Sequence, residues 1–121
     1  MSTTFLTRVP RRPVAMYNDG TNLIYSGANG KIYKLVISSL AETLYCELGE
    51  KVTAIVYDGS TYFYVGTSTG NLRRITATSG AITAWATFGE RFTSGIASLG
   101  LNSTNLYVGL DNGKLELKDL S

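Results

Sequence analysis

Three stretches of this chain can be laid on one another: PVAMYNDGTNLIYSG from Pro13 to Gly27, VTAIVYDGSTYFYVG from Val52 to Gly66, and GIASLGLNSTNLYVG from Gly95 to Gly109. The steps between them are 39 and 43 residues. Each runs on into a glycine turn and a short apolar alternation, beginning at Gly30-Lys31-Ile32, Gly70-Asn71-Leu72 and Gly113-Lys114-Leu115. A repeat of this length constrains the fold more than any other feature, because each unit is one supersecondary element that must bury its apolar surface on its neighbours.

The units are built from strands. Tyr, Val, Ile, Thr and Phe alternate with polar residues, and Gly, Asn, Asp and Ser punctuate them every eight to ten residues, as at Asn18-Asp19-Gly20, Asp58-Gly59 and Asp111-Asn112-Gly113. Strands are expected at 14–17, 23–27, 31–37 and 42–48, then at 52–57, 62–67, 71–77 and 81–88, then at 95–100, 106–110 and 114–120. The sole helix candidate is Ser38 to Thr43. Four strands per unit at a period near 40 is the pattern of an all-β propeller, one four-stranded blade per unit. On this alignment Tyr25, Tyr64 and Tyr107 share one repeat position and pack blade on blade.

The third unit has only three strands, and the missing one is expected at the other end of the chain. Thr4-Phe5-Leu6-Thr7-Arg8-Val9 matches Thr43 to Leu48 and Thr83 to Phe88, with Val9, Leu48 and Phe88 aligned. The division is therefore a single three-blade unit over 1–121: closing strand and connector 1–12, blades at 13–50 and 51–91, and a third at 92–121 lacking its outer strand. Closed propellers usually have four to eight blades. Three blades make half of a six-bladed ring, so the chain is expected to pair with itself as a homodimer, a trimer being the next alternative. The N-terminal strand of one copy would complete the last blade of its neighbour. Phe5, Leu6, Val9, Arg11, Leu115 and Leu117 are the interface residues on this reading.

The second unit resembles blades of the pyrroloquinoline-quinone-type and WD-repeat-like propellers, through Tyr64-Val65-Gly66-Thr67-Ser68-Thr69-Gly70-Asn71-Leu72, then Ala77-Thr78-Ser79-Gly80, then Trp85. Tyr107-Val108-Gly109 and Tyr25-Ser26-Gly27 share part of it, and Tyr45 stands where the second unit has Trp85. The Trp-Asp dipeptide is absent and no quinone-binding constellation is present, so the resemblance implies the fold and carries no cofactor.

The chemistry is narrow. Without His, His-based triads and His metal sites are excluded, and one Cys excludes an internal disulfide and a Cys-cluster zinc site. Eleven basic and nine acidic residues leave a net charge of +2, too balanced for nucleic acid. The chain as given shows neither a signal peptide nor an apolar run near the ~20 residues of a membrane span, so an intracellular place, or one inside an assembled particle, is expected. The carboxylate pairs Glu47 with Glu50 and Asp58 with Glu90 read as surface and turn chemistry rather than acid–base catalysis. Gly66 to Gly70 lacks the Lys-Ser/Thr ending of a phosphate loop and reads as a hairpin turn. Cys46 reads as a small filler residue. The expectation is a non-enzymatic ring, structural or protein-binding, as in a component of a virion or phage tail, with no cofactor or metal. The rival is a glycan-binding lectin that would use Tyr45, Trp85, Arg73 and Arg74.

Overall fold

One acidic or amide side chain shapes the first hairpin of every repeat. Asp19 Oδ1 accepts from the backbone N–H groups of Thr21 and Asn22 at 2.9 and 2.7 Å. Asp58 Oδ1 accepts from Ser60, Thr61 and Tyr62 at 2.8, 2.8 and 3.1 Å. Asn102 Oδ1 does the same for Thr104 and Asn105 at 3.0 and 2.8 Å. These side chains mimic a backbone turn and fold the chain back on itself.

A computed structural model of the chain describes residues 6–9, 13–27, 29–79, 82–83 and 95–120. Among them are eleven strands in three antiparallel sheets and no helix. Sheet 1 holds β1 (Ala15–Asn18), β2 (Asn22–Ser26), β3 (Lys31–Val36) and β4 (Glu42–Glu47). Sheet 2 holds β5 (Val52–Tyr57), β6 (Tyr62–Thr67), β7 (Leu72–Thr76) and β8 (Ile82–Thr83). Sheet 3 holds β9 (Ile96–Leu101), β10 (Asn105–Leu110) and β11 (Leu115–Asp119). In each sheet, neighbours in sequence are neighbours in space. The helix candidate is instead a turn followed by β4: Leu40 N–H bonds to Val36 O at 2.7 Å, and Leu40 takes a positive φ of 62°. The expected strand 81–88 is seen as β8 alone, since 84–88 lie outside the described residues. Residues 6–9 form no strand within this single chain.

Strand pairing corrects the alignment of the three tyrosines. Ser26 pairs with Ala15 and Ile32, Gly66 with Ala54 and Leu72, and Gly109 with Ser98 and Leu115. Ser26, Gly66 and Gly109 are therefore equivalent, and one step back so are Tyr25, Val65 and Val108. Tyr64 and Tyr107 correspond to Ile24, not to Tyr25. The cause is the β5–β6 turn, which has one residue more than its counterparts. Asp58 N–H reaches Tyr62 O, whereas Asp19 N–H reaches Asn22 O and Asn102 N–H reaches Asn105 O. A one-residue slip moves a side chain to the other face of its sheet.

The sheets stack face to face, with β5 packed between β1 and β9. Ile24 and Ile32 of sheet 1 meet Val52, Ile55, Phe63, Val65 and Ile75 of sheet 2. Tyr64 and Leu72, from the other face of sheet 2, meet Ile96, Leu106, Val108 and Leu110 of sheet 3. Close approach requires a small residue at one recurring position. Ser26 is fully buried with its Oγ donating to Val52 O at 3.3 Å, and at Gly66 an added Cβ would lie 2.4 Å from Ile96 Cγ2. Gly66→Ala should therefore cost about 1–3 kcal/mol through overpacking. Gly100→Ala, where the nearest atom would be Tyr107 Cβ at 3.9 Å, should stay within about 1 kcal/mol of wild type. Urea denaturation of both variants measures the difference.

Candidate functional site

The seam between sheets 1 and 2 is closed at one end by a carboxylate. The chain crosses from β4 to β5 through residues 48–51, tied down by Leu48 N–H to Gly30 O at 2.9 Å and Ser68 N–H to Lys51 O at 3.0 Å. Gly30, at φ 79°, lets the crossing pass, since a Cβ there would sit 2.8 Å from Glu50 N. Glu50 accepts Asn71 Nδ2 on both oxygens at 2.8 Å, Arg73 Nη2 at 3.2 Å and the Thr69 hydroxyl. Burial would raise its pKa, but these donors outweigh burial and hold it below the usual 4.5. The loop from Gly66 to Gly70 is thus a hairpin turn that presents its polar groups to a carboxylate of the same chain.

At the other end lies a cleft of roughly 200 Å³ between the two sheets, walled by Tyr45, Tyr57, Phe63, Asp19 and Lys34. Tyr57 and Phe63 stack at 4.4 Å, and the Lys34 ammonium stands 5.2 Å from the centre of the Tyr45 ring. The Tyr45 hydroxyl donates to Ala77 O, and burial pushes its pKa up to about 12. Arg73 and Arg74 leave β7 on opposite faces: Arg73 meets Glu50, while the Arg74 guanidinium lies 4.1 Å from the centre of the Tyr62 ring. Of the glycan candidates, Tyr45 alone walls this cleft; Arg73 and Arg74 point to different sides of sheet 2, and Trp85 lies outside the described residues.

Among the described residues, the carboxylates weighed for acid–base work, and Asp19 with them, make other contacts. Asp19 and Asp58 cap turns, and the turn N–H groups overcome burial to lower both pKa values. Glu47 is exposed and 3.5 Å from Lys31, and Glu90 lies outside the described residues. A general acid at neutral pH needs its pKa raised, so the shifts run the opposite way. Burial pushes the Cys46 thiol up to about 12, which leaves it packed and protonated at neutral pH. Among the described residues no group of three or more His, Cys, Asp and Glu could hold a metal ion, and no helix is long and apolar enough to cross a membrane.

The remaining feature is the pair of end faces. On sheet 3, Leu115 is 87% exposed, Leu117 57% and Tyr107 42%. On sheet 1, Tyr25, Tyr33 and Leu35 form an apolar face on which Val9 and Leu23 pack, with Met16 53% exposed beside them. Leu6 is also exposed, while Phe5 and Arg11 lie outside the described residues. Leu6, Val9, Leu115 and Leu117 were among the interface residues expected from the sequence; Met16 and Tyr107 were not. Alternation along β1 and β10 marks both, once the extra residue in the β5–β6 turn is recognised.

No protein-family model matches the chain, and no curated protein matches it. Solved structures do. The β-propeller domain of Myceliophteria thermophila Cps50 (Swd1) superposes with a TM-score of 0.76 at 12% identity, over 98% of this chain and 38% of that one. The computationally designed Ika8 protein gives a TM-score of 0.71 at 18% identity, over 89% of this chain and 33% of that one. The designed Ika4 protein gives 0.62 at 11% identity over the whole of both chains. The likeness is one of fold, and it is propeller-like. It does not extend to the quinone-type family or to any other particular family. The chain spans about a third of the length of the Ika8 and Swd1 structures.

The lowered carboxylate pKa values predict a loss of stability in acid. A group with a depressed folded pKa contributes stability above its unfolded value and loses it as pH falls through the folded one. Thermal melts should be flat from neutrality down to about pH 5 and then fall. Glu50→Gln, which keeps the shape but loses the charge-assisted bonds, should lower stability by about 1–2 kcal/mol at pH 7 and reduce the slope below pH 4.5.

Proposed function

We propose that this chain is a non-enzymatic structural and protein-binding module that acts as a closed propeller ring built from copies of itself, two copies giving a ring of six sheets. The observation that carries this reading is the stack of three sheets with an apolar face at each end, a contiguous surface that water penalises and a second copy would cover. The N-terminal segment serves as the clasp. Leu48, at the end of β4, packs into the core formed with sheet 2. Val9, its counterpart in the alignment, packs on the free face of sheet 1. On this reading the N-terminal segment runs along β11 of a neighbour as its fourth strand. A ring of this kind suits a particle assembled from repeated subunits, such as a virion or phage tail, with its loops offered to other proteins.

Native mass spectrometry or light scattering tests this directly. The expected mass is twice 13.1 kDa, and a single-chain mass removes the ring. Deleting residues 2–9 should uncover the edge of β11, abolish the doubled mass and promote aggregation. A deletion variant that stays soluble at the doubled mass would remove the clasp.

A further inference from the structure

Each sheet presents one kind of face forwards and another backwards, and both kinds recur. The forward face of sheet 1 carries Ile24 and Ile32, and that of sheet 2 carries Tyr64 and Leu72. All four are buried against the following sheet. Strand pairing puts Tyr107 and Leu115 at the same two positions of sheet 3, where they are 42% and 87% exposed. The backward face of sheet 2 receives its neighbour on Ile55, Phe63, Val65 and Ile75. The same positions in sheet 1 are Met16, Leu23, Tyr25 and Leu35, by the pairs Met16–Tyr25 and Leu23–Leu35.

Those four residues line an apolar cleft of about 150 Å³ on the free face of sheet 1, bounded on its far side by Leu6, Thr7 and Val9. Their counterparts Tyr45, Cys46 and Leu48 bound the sheet 1–sheet 2 core in the same manner, and there the space is filled by Ile24 and Ile32. The small-residue position agrees. Val52 approaches Ser26 and Ile96 approaches Gly66, while Gly109 faces outwards with Pro13, the counterpart of Val52, beside the cleft.

We infer that the cleft on the free face of sheet 1 is the seat for Tyr107 and Leu115 of a second copy of this chain, docked head to tail with Gly109 over Pro13. This rests on the self-assembly reading above and specifies which faces meet. The interface is heterologous at each contact, so a ring of two copies holds two identical contacts. It leaves no place for a back-to-back pairing of two sheet 3 faces.

The test uses two single variants at exposed positions, Met16→Asp and Leu115→Asp. Circular dichroism should show the wild-type strand signal for both. Each alone should run at the mass of one chain. An equimolar mixture should recover the doubled mass, because a mixed pair retains one contact free of either substitution. A wild-type protein that is itself a single chain overturns self-assembly altogether. Wild type assembled, with Leu115→Asp dispersed and Met16→Asp unaffected, keeps self-assembly and overturns the head-to-tail seat. So does a mixture that stays at the single-chain mass.

Discussion

A strand shows its side chains alternately to two faces, so a sheet that is apolar on both must be covered on both. Everything else in this molecule follows from that requirement. Sheet 2 meets it within the chain: Val52, Val65 and Ile75 are fully buried on one side and Leu72 on the other. Sheets 1 and 3 meet it on one side each. Because all three are stacked in the same sense, the two uncovered faces are of opposite kinds. On the self-assembly reading, such a stack would take a second copy at its ends and stop on closing into a ring.

The polar side chains described above hold the stack together. Asp19, Asp58 and Asn102 close the first hairpins, and Glu50 draws together the crossing segment and the β6–β7 turn. Each carboxylate among them accepts from donors of its own chain.

Much of the fold was legible because propeller units combine two strong local signals, alternation and turn residues. Asp58-Gly59 and Gly70 mark hairpins without reference to anything distant. Where the reading went astray, the cause was a length difference of one residue inside a turn. The chain matches at 39 residues before Asp58 and at 40 after it, so aligning Tyr25 with Tyr64 pleased the eye and put the ring on the wrong face. Only the ladder of paired strands reveals the slip. The glycan candidates went a similar way. Arg73-Arg74 is a cationic pair in the sequence, but adjacent residues of a strand part company across the sheet. Leu115 and Leu117 were expected at an interface, and in the single chain both are exposed on sheet 3. The cleft on the free face of sheet 1 was not legible, because it is lined jointly by Leu6 and Val9 and by Met16 and Leu23, from separate segments.

The strictly sequential order of strands within each sheet has a bearing on cooperativity. Contacts run between neighbours in sequence, then between one sheet and the next, as in a one-dimensional array. Within each sheet the pairing is local, hairpin by hairpin, while the packing of one sheet on the next joins segments far apart in sequence. The chain's stability is graded along the stack. The middle sheet, held from both sides, is therefore expected to exchange its amide protons with water more slowly than the terminal sheets. Closure into a ring would abolish those ends, so that a protein melting from its edges becomes one that melts as a whole.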